Sequence, residues 1–126
     1  MFYFAYGSNL LSSRLIDRVG KVQFVAIAVL EGYTLVFNKL SKDGTGKANI
    51  KKANDKVVGV IYRLEIWQMK VLDRYEGGYT RKSMVTNDGR LVKVYVASKN
   101  CTRKNLLPSK EYLDLIEKGR EEWGLI

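Results

Sequence analysis

The sequence predicts a single α+β domain, residues 1–126, in which a curved, mostly antiparallel sheet or partly open β-barrel carries helices packed against it. Three observations lead there. Apolar and polar residues alternate over several short stretches, the period of strands with one buried face. Glu31-Gly32 and Asp88-Gly89 fall between pairs of these stretches, where tight turns join antiparallel neighbours. Three other segments repeat apolar residues at helical spacing.

The strands expected from alternation are Phe2 to Tyr6, Val22 to Leu30, Tyr33 to Leu40, Ala48 to Lys51, Val57 to Leu64, Arg81 to Thr86 and Leu91 to Ala97. The first helix follows Asn9, with Leu11, Leu15 and Val19 as its buried stripe. In the second, Trp67, Val71 and Tyr75 repeat that spacing, supplemented by Met69 and Leu72, and Gly77-Gly78 ends it. The third follows Pro108 with Ser109 as N-cap and buries Tyr112, Leu115, Ile116, Gly119 and Trp123. Between Lys39 and Lys56 the pattern is least regular, and the lysine-rich stretch reads as an exposed loop or irregular hairpin.

Composition narrows the function classes. A chain of 126 residues with 46% apolar residues can bury one core. No apolar run approaches the roughly 20 residues that span a bilayer, and no secretory leader is visible, so the expected location is the cytoplasm with no membrane partner. Cys101 is the single cysteine, which excludes an intrachain disulfide framework. Histidine is absent. A Ser-His-Asp or Cys-His nucleophile pair and a His-ligated metal site are thereby excluded, and no metal or cofactor is expected. Acid–base chemistry must come from carboxylate, lysine, tyrosine or the substrate. The net charge of +9 favours anionic partners without selecting among them.

Two short stretches stand out chemically. Tyr6-Gly7-Ser8-Asn9-Leu10 stops a strand on small residues just before a helix. Ser8 or Asn9 is placed to cap that helix, and unpartnered amides at a helix start attract anions. Taken alone, the pentapeptide reads more simply as a plain cap and turn. Ser8 does not read as a nucleophile, since the second glycine of a G-x-S-x-G elbow is missing and no histidine exists to activate it. In "VLDRYEGGYTR", Glu76 sits in the last turn of the second helix or just past it. The helix dipole disfavours a carboxylate there by up to about 1 kcal/mol, and such unexplained violations tend to mark functional positions. In an apolar cleft its pKa would rise towards that of a general base; on a frayed end it would be merely solvated. Asp73 reads as structural. Tyr95, in an alternating strand, is either a packing residue or a hydroxyl offered to a ligand. The Lys39 to Lys56 run, with Phe37 nearby, has the charge for RNA but no accompanying RNA-binding fingerprint, so nucleic acid is disfavoured as a partner.

Taken in order, these residues resemble the gamma-glutamylcyclotransferase family. "YFAYGSNLLSSRL" is similar to its N-terminal motif, and Phe37-Asn38, Gly46 to Ile50, Asp55 with Val58 to Tyr62, and Leu72-Asp73 with Glu76-Gly77 follow as successive blocks. Pro108, Ser109, Tyr112, Ile116, Gly119, Gly124 and Leu125 match its closing helix, so the resemblance spans nearly the whole chain. It implies a small mixed barrel with flanking helices and a cleft between the Tyr6 to Leu10 loop and Glu76. It further implies an enzyme that cyclises a gamma-glutamyl group to 5-oxoproline and releases an amino acid or amine. In that scheme Glu76 is the catalytic acid/base, and Tyr3, Phe4, Ala5, Tyr6, Gly7, Ser8, Asn9, Leu10 and Tyr95 bind a small-molecule gamma-glutamyl substrate. A homodimer is compatible with it. A sibling enzyme acting on a modified lysine side chain or antibiotic intermediate, and a non-catalytic basic binding module on the same fold, stay open as alternatives. Two departures bear on substrate choice: Glu76-Gly77 runs directly into Gly78-Tyr79, where related branches often place further residues, and the chain ends at Ile126, where many relatives continue.

Overall fold

Five strands and three helices follow the order β1 (Phe2–Ala5), α1 (Ser12–Val19), β2 (Gln23–Leu40), β3 (Gly46–Arg63), α2 (Ile66–Tyr75), β4 (Tyr79–Val85), β5 (Leu91–Ala97) and α3 (Lys110–Glu122) in the computed structural model. It describes residues 1–125, so Ile126 lies outside the described residues. The strands form one sheet in the order β2-β3-β1-β5-β4. Only β1 and β5 run parallel, with Tyr3 opposite Lys93; the remaining neighbours are antiparallel. The α+β class and the mixed, mostly antiparallel, open sheet are as the sequence predicts. At the far edge, the β4–β5 turn reaches back to β2. The Val29 amide donates to Asn87 Oδ1 at 3.1 Å and the Asn87 amide donates to the Val29 carbonyl at 2.9 Å. These two bonds curl the sheet towards closure.

The β4–β5 hairpin forms at Asp88-Gly89 as predicted. Glu31-Gly32 behaves differently. Here β2 does not turn; it continues as one strand, and the register slips between Glu31, opposite Lys56, and Tyr33, opposite Lys52. Gly32 takes φ +85°, a left-handed value suited to a bulge. Because β3 carries extra residues at the same height, pairing resumes beyond the interruption, and the Thr34 hydroxyl clamps it by donating to Asp55 Oδ2 at 2.8 Å. The four strands expected between Val22 and Leu64 are therefore two long ones. The stretch after Lys39, expected as an exposed loop or irregular hairpin, is the hairpin end of these two strands, with Lys39 opposite Lys47, Leu40 opposite Gly46, and the turn between them held by Ser41, Asp43 and Thr45.

Helix packing sets where the cleft lies. Leu15 and Val19 of α1 are buried as expected, whereas neither Ser8 nor Asn9 caps it: a 3₁₀ turn, Ser8–Leu10, intervenes and Leu11 precedes the helix. In α2 the buried residues are Gln68, Met69 and Leu72, while Trp67 and Tyr75 are exposed and Val71 is half-buried. The predicted stripe is displaced because Gln68 completes a capping box with Glu65 and donates to the carbonyls of Val19 and Lys21 at 3.1 and 2.7 Å, fixing this face on α1. Ser109 caps α3 as predicted, accepting from the Tyr112 amide at 3.1 Å. Tyr112, Ile116 and Gly119 are buried; Leu115 and Trp123 are only partly so. A Cβ on Gly119 would stand 2.6 Å from both Leu10 Cβ and the Leu11 nitrogen, so only glycine lets α3 seat directly on the 3₁₀ turn. The Leu10 carbonyl is held from two sides, accepting from the Tyr62 hydroxyl and from Trp123 Nε1, each at 2.8 Å.

Candidate active site

The central strand β1 ends against this anchored turn, and α2 ends opposite it. Between the two ends lies a cleft of about 310 Å³, at the small end of the range for small-molecule sites. Tyr3, Phe4, Tyr6, Gly7, Ser8 and Asn9 form one wall. Glu76, Gly77 and Tyr79 face them, with Tyr95 and Tyr112 between. Glu76 occupies the C-cap of α2: its amide donates to the Leu72 carbonyl at 3.0 Å and its own carbonyl accepts from Tyr79 at 3.1 Å. Its side chain is thus carried on the rigid helix end and not on the loop beyond.

Asn9 joins the walls. Its Nδ2 lies 3.2 Å from Glu76 Oε1 and 3.0 Å from the Tyr3 hydroxyl, and its Oδ1 accepts from Arg18 at 3.4 Å. Arg14 Nε donates to Ser8 Oγ at 3.0 Å. Arg14 and Arg18, one turn apart on α1, therefore project beside the turn, with the Arg18 guanidinium 5.1 Å from the centroid of the Tyr75 ring. Burial pushes the Glu76 carboxyl above the ordinary glutamate value, an effect opposed by the positive charges of Arg18, Lys39 and Arg14 in that order and reinforced by Asp73. The carboxylate is desolvated yet faces cations. The amides of Ser8 and Asn9, at the start of the 3₁₀ turn, have no partner within it.

The tyrosines frame this space. Tyr6 donates to the Tyr95 carbonyl at 2.6 Å, and Tyr95 donates to Asp73 Oδ1 at 2.6 Å while Asp73 pairs with Arg81 at 3.3 Å. The Tyr95 hydroxyl is thereby committed to Asp73, and its ring stands edge-on to Tyr3 at 5.8 Å. Tyr79 donates to the Ala48 carbonyl at 2.7 Å and Tyr112 accepts from the Ala48 amide at 3.0 Å, clamping one peptide of β3 at the cleft wall. Burial raises the Tyr3, Tyr6, Tyr79 and Tyr112 hydroxyls above their ordinary range, so all four are neutral at physiological pH.

Of the site residues expected from the sequence, Glu76, Tyr3, Phe4, Tyr6, Gly7, Ser8, Asn9 and Tyr95 converge on this cleft. Ala5 and Leu10 lie behind it in the core, at 1% and 0% exposure, because the alternation of β1 and the seating of α3 turn them inward. Sequence reasoning missed Arg14, Arg18, Tyr79 and the lysines at the mouth. Arginines spaced i, i+4 directly after the small-residue turn were a usable signal for the first two.

Comparison with known proteins agrees with this architecture. The family model described as "Gamma-glutamyl cyclotransferase, AIG2-like" matches residues 3–118. A human protein named gamma-glutamylcyclotransferase is 31% identical, the match covering 98% of this chain and 71% of the relative. Its bovine counterpart is 30% identical over the same shares. A solved structure titled gamma-glutamyl cyclotransferase superposes with a TM-score of 0.84 at 28% identity, covering 99% of this chain and 80% of that one.

Proposed function

Since the chain belongs to the gamma-glutamyl cyclotransferase, AIG2-like family and is a cyclotransferase-type enzyme, we propose that it cyclises a gamma-glutamyl group to 5-oxoproline with Glu76 as the general acid/base. The observation that carries this reading is the Asn9–Glu76 contact at 3.2 Å, which brings a desolvated carboxylate up to the anion-friendly turn.

The substrate's own α-amine is the nucleophile, so the chain needs no serine or cysteine attack and no histidine. That amine, with a pKa of about 8, is an ammonium at neutrality. Glu76 takes a proton from it, and the freed nitrogen attacks the γ-carbonyl to form a five-membered ring. The amides of Ser8 and Asn9 face the developing oxyanion. Glu76 then returns a proton to the departing nitrogen. Over the whole reaction the ammonium gives up two protons and the leaving amide nitrogen gains two, so no water is consumed. Arg14 and Arg18, braced on Ser8 and Asn9, supply positive charge for the substrate α-carboxylate. Holding the glutamyl chain folded in so small a cleft converts ring closure into a reaction between pre-aligned groups.

A cytoplasmic setting is part of this proposal and fits the unpaired Cys101. The experiment is incubation of the purified protein with a panel of gamma-glutamyl amino acids and gamma-glutamyl amines. The expected result is 5-oxoproline formed in equal amount to the released amine. Release of free glutamate instead would identify a hydrolase and contradict the proposal.

A further inference from the structure

The lysine-rich stretch divides in three dimensions. Lys51, Lys52 and Lys56 are exposed along the outer sheet, whereas Lys39, Lys42 and Lys47, from the β2–β3 hairpin end, line the mouth of the cleft. Two of the three are held there by aromatic walls of the cleft itself. Lys39 Nζ lies 5.3 Å from the centroid of the Tyr79 ring and Lys47 Nζ 4.2 Å from that of Tyr112. None of the three has a carboxylate partner among the described residues, where the ion pairs are Arg81–Asp73 and Arg90–Asp88. The nearby Asp43 is turned into its own hairpin, accepting from the Thr45 amide at 3.0 Å and the Thr45 hydroxyl at 2.6 Å.

With Arg14, Arg18 and Arg74, six cationic side chains line a cleft whose only lining carboxylate among the described residues is Glu76. The glutamyl head cannot balance them, because its ammonium and α-carboxylate offset each other. Any further negative charge on the substrate comes from the part that leaves. A neutral amine brings none, a neutral amino acid brings one carboxylate, and an acidic amino acid brings two.

Resting on the cyclotransferase reading above, we infer that the enzyme prefers gamma-glutamyl compounds whose departing group is an acidic amino acid, with Lys39, Lys42 and Lys47 as the specificity residues. The reaction is unchanged in kind: the bond from the γ-carbonyl carbon to the amide nitrogen breaks as the bond from that carbon to the α-nitrogen forms, and glutamate or aspartate departs as the free amino acid. Convergent positive charge raises the local concentration of such a dianionic leaving group, an advantage that salt screens.

Gamma-glutamyl-glutamate and gamma-glutamyl-glutamine differ by one charge at nearly constant shape. Their kcat/KM ratio at low ionic strength is expected to favour the acid about tenfold, two or three lysines each contributing a modest partly exposed pairing, and to fall towards unity in concentrated salt. Lys42→Gln and Lys39→Gln each lower this ratio, and Lys42→Glu lowers it further. Because the readout is a ratio within one protein sample, partial loss of folded enzyme does not move it. Equal kcat/KM for the two compounds, or a ratio indifferent to salt and to the lysine substitutions, overturns the inference while leaving cyclisation intact. Calorimetric binding of the same pair to Glu76→Gln separates the two claims from the other side. An acid preference in binding without turnover by the wild type would sustain the charge selection and contradict the reaction.

Discussion

Asn9 Nδ2 stands 3.2 Å from the Glu76 carboxylate across 67 positions of sequence, and the same nitrogen reaches the Tyr3 hydroxyl at 3.0 Å. One side-chain amide thus connects the central strand, the turn that follows it and the end of α2. The site is built where three elements meet, each held by its own cap or anchor, which gives Glu76 a fixed direction.

The pH dependence follows from the environment of that carboxylate. In the proposed mechanism Glu76 has to be ionised to take a proton, and burial holds its pKa above the ordinary value of 4.5. The acid limb of kcat/KM, which reports the free enzyme, is expected above that ordinary value, with activity lost as pH falls through it. Arg18 is the foremost charge opposing the rise, ahead of Lys39. Arg18→Gln therefore moves the limb to higher pH, and Lys39→Gln moves it less. A limb that stays in place in Arg18→Gln contradicts this assignment.

Stability should move in the opposite direction to activity. With a raised folded-state pKa, the native protein holds more protons than the unfolded chain between pH 4.5 and the folded value, so the stability of the wild type falls as pH rises through that window. Glu76→Gln keeps an acceptor for Asn9 and has no such titration. Urea denaturation is expected to show the variant gaining on the wild type from about pH 4.5 upward, then holding a constant lead. A lead that shrinks as pH rises would mean that the ionised Glu76 is favoured by the fold.

Gly119→Ala tests how α3 positions the turn. An alanine gains about 1 kcal/mol of intrinsic helix stability over glycine. Here its Cβ meets Leu10 Cβ and the Leu11 nitrogen at 2.6 Å, and backbone cannot rotate out of the way as a side chain can. Overpacking costs of about 1–3 kcal/mol should win. Thermal or denaturant unfolding is expected to show net destabilisation, with reduced kcat/KM in the protein that remains folded because the Ser8–Leu10 turn shifts. Net stabilisation would show that α3 can withdraw freely.

Much of this was legible before any coordinates. Glu76 announced itself by sitting where the helix dipole opposes it, and Gly7 to Asn9 by interrupting a strand with small polar residues. What failed to show was whatever depends on partners remote in sequence. Glu31-Gly32 has the composition of a turn, and only the matching extra residues of β3 convert it into a bulge that both long strands share. Trp67 and Tyr75 look like core at helical spacing, but the polar Gln68 takes the buried face because the carbonyls of Val19 and Lys21 satisfy its amide. Lys39, Lys42 and Lys47 are indistinguishable from solvated lysines in one dimension; the hairpin of β2 and β3 alone turns them towards the cleft. Tyr95 lines the cleft, while the commitment of its hydroxyl to Asp73 rests on an acid 22 residues away.

The most direct test compares the rate of 5-oxoproline release by the wild type and by Glu76→Gln on one gamma-glutamyl substrate, with both proteins shown to be folded. Loss of a positioned acid/base is expected to lower kcat by about 10²- to 10⁴-fold, with substrate binding largely kept because Gln retains the contact to Asn9. A Glu76→Gln enzyme that forms 5-oxoproline at the wild-type rate would contradict the role assigned to this carboxylate.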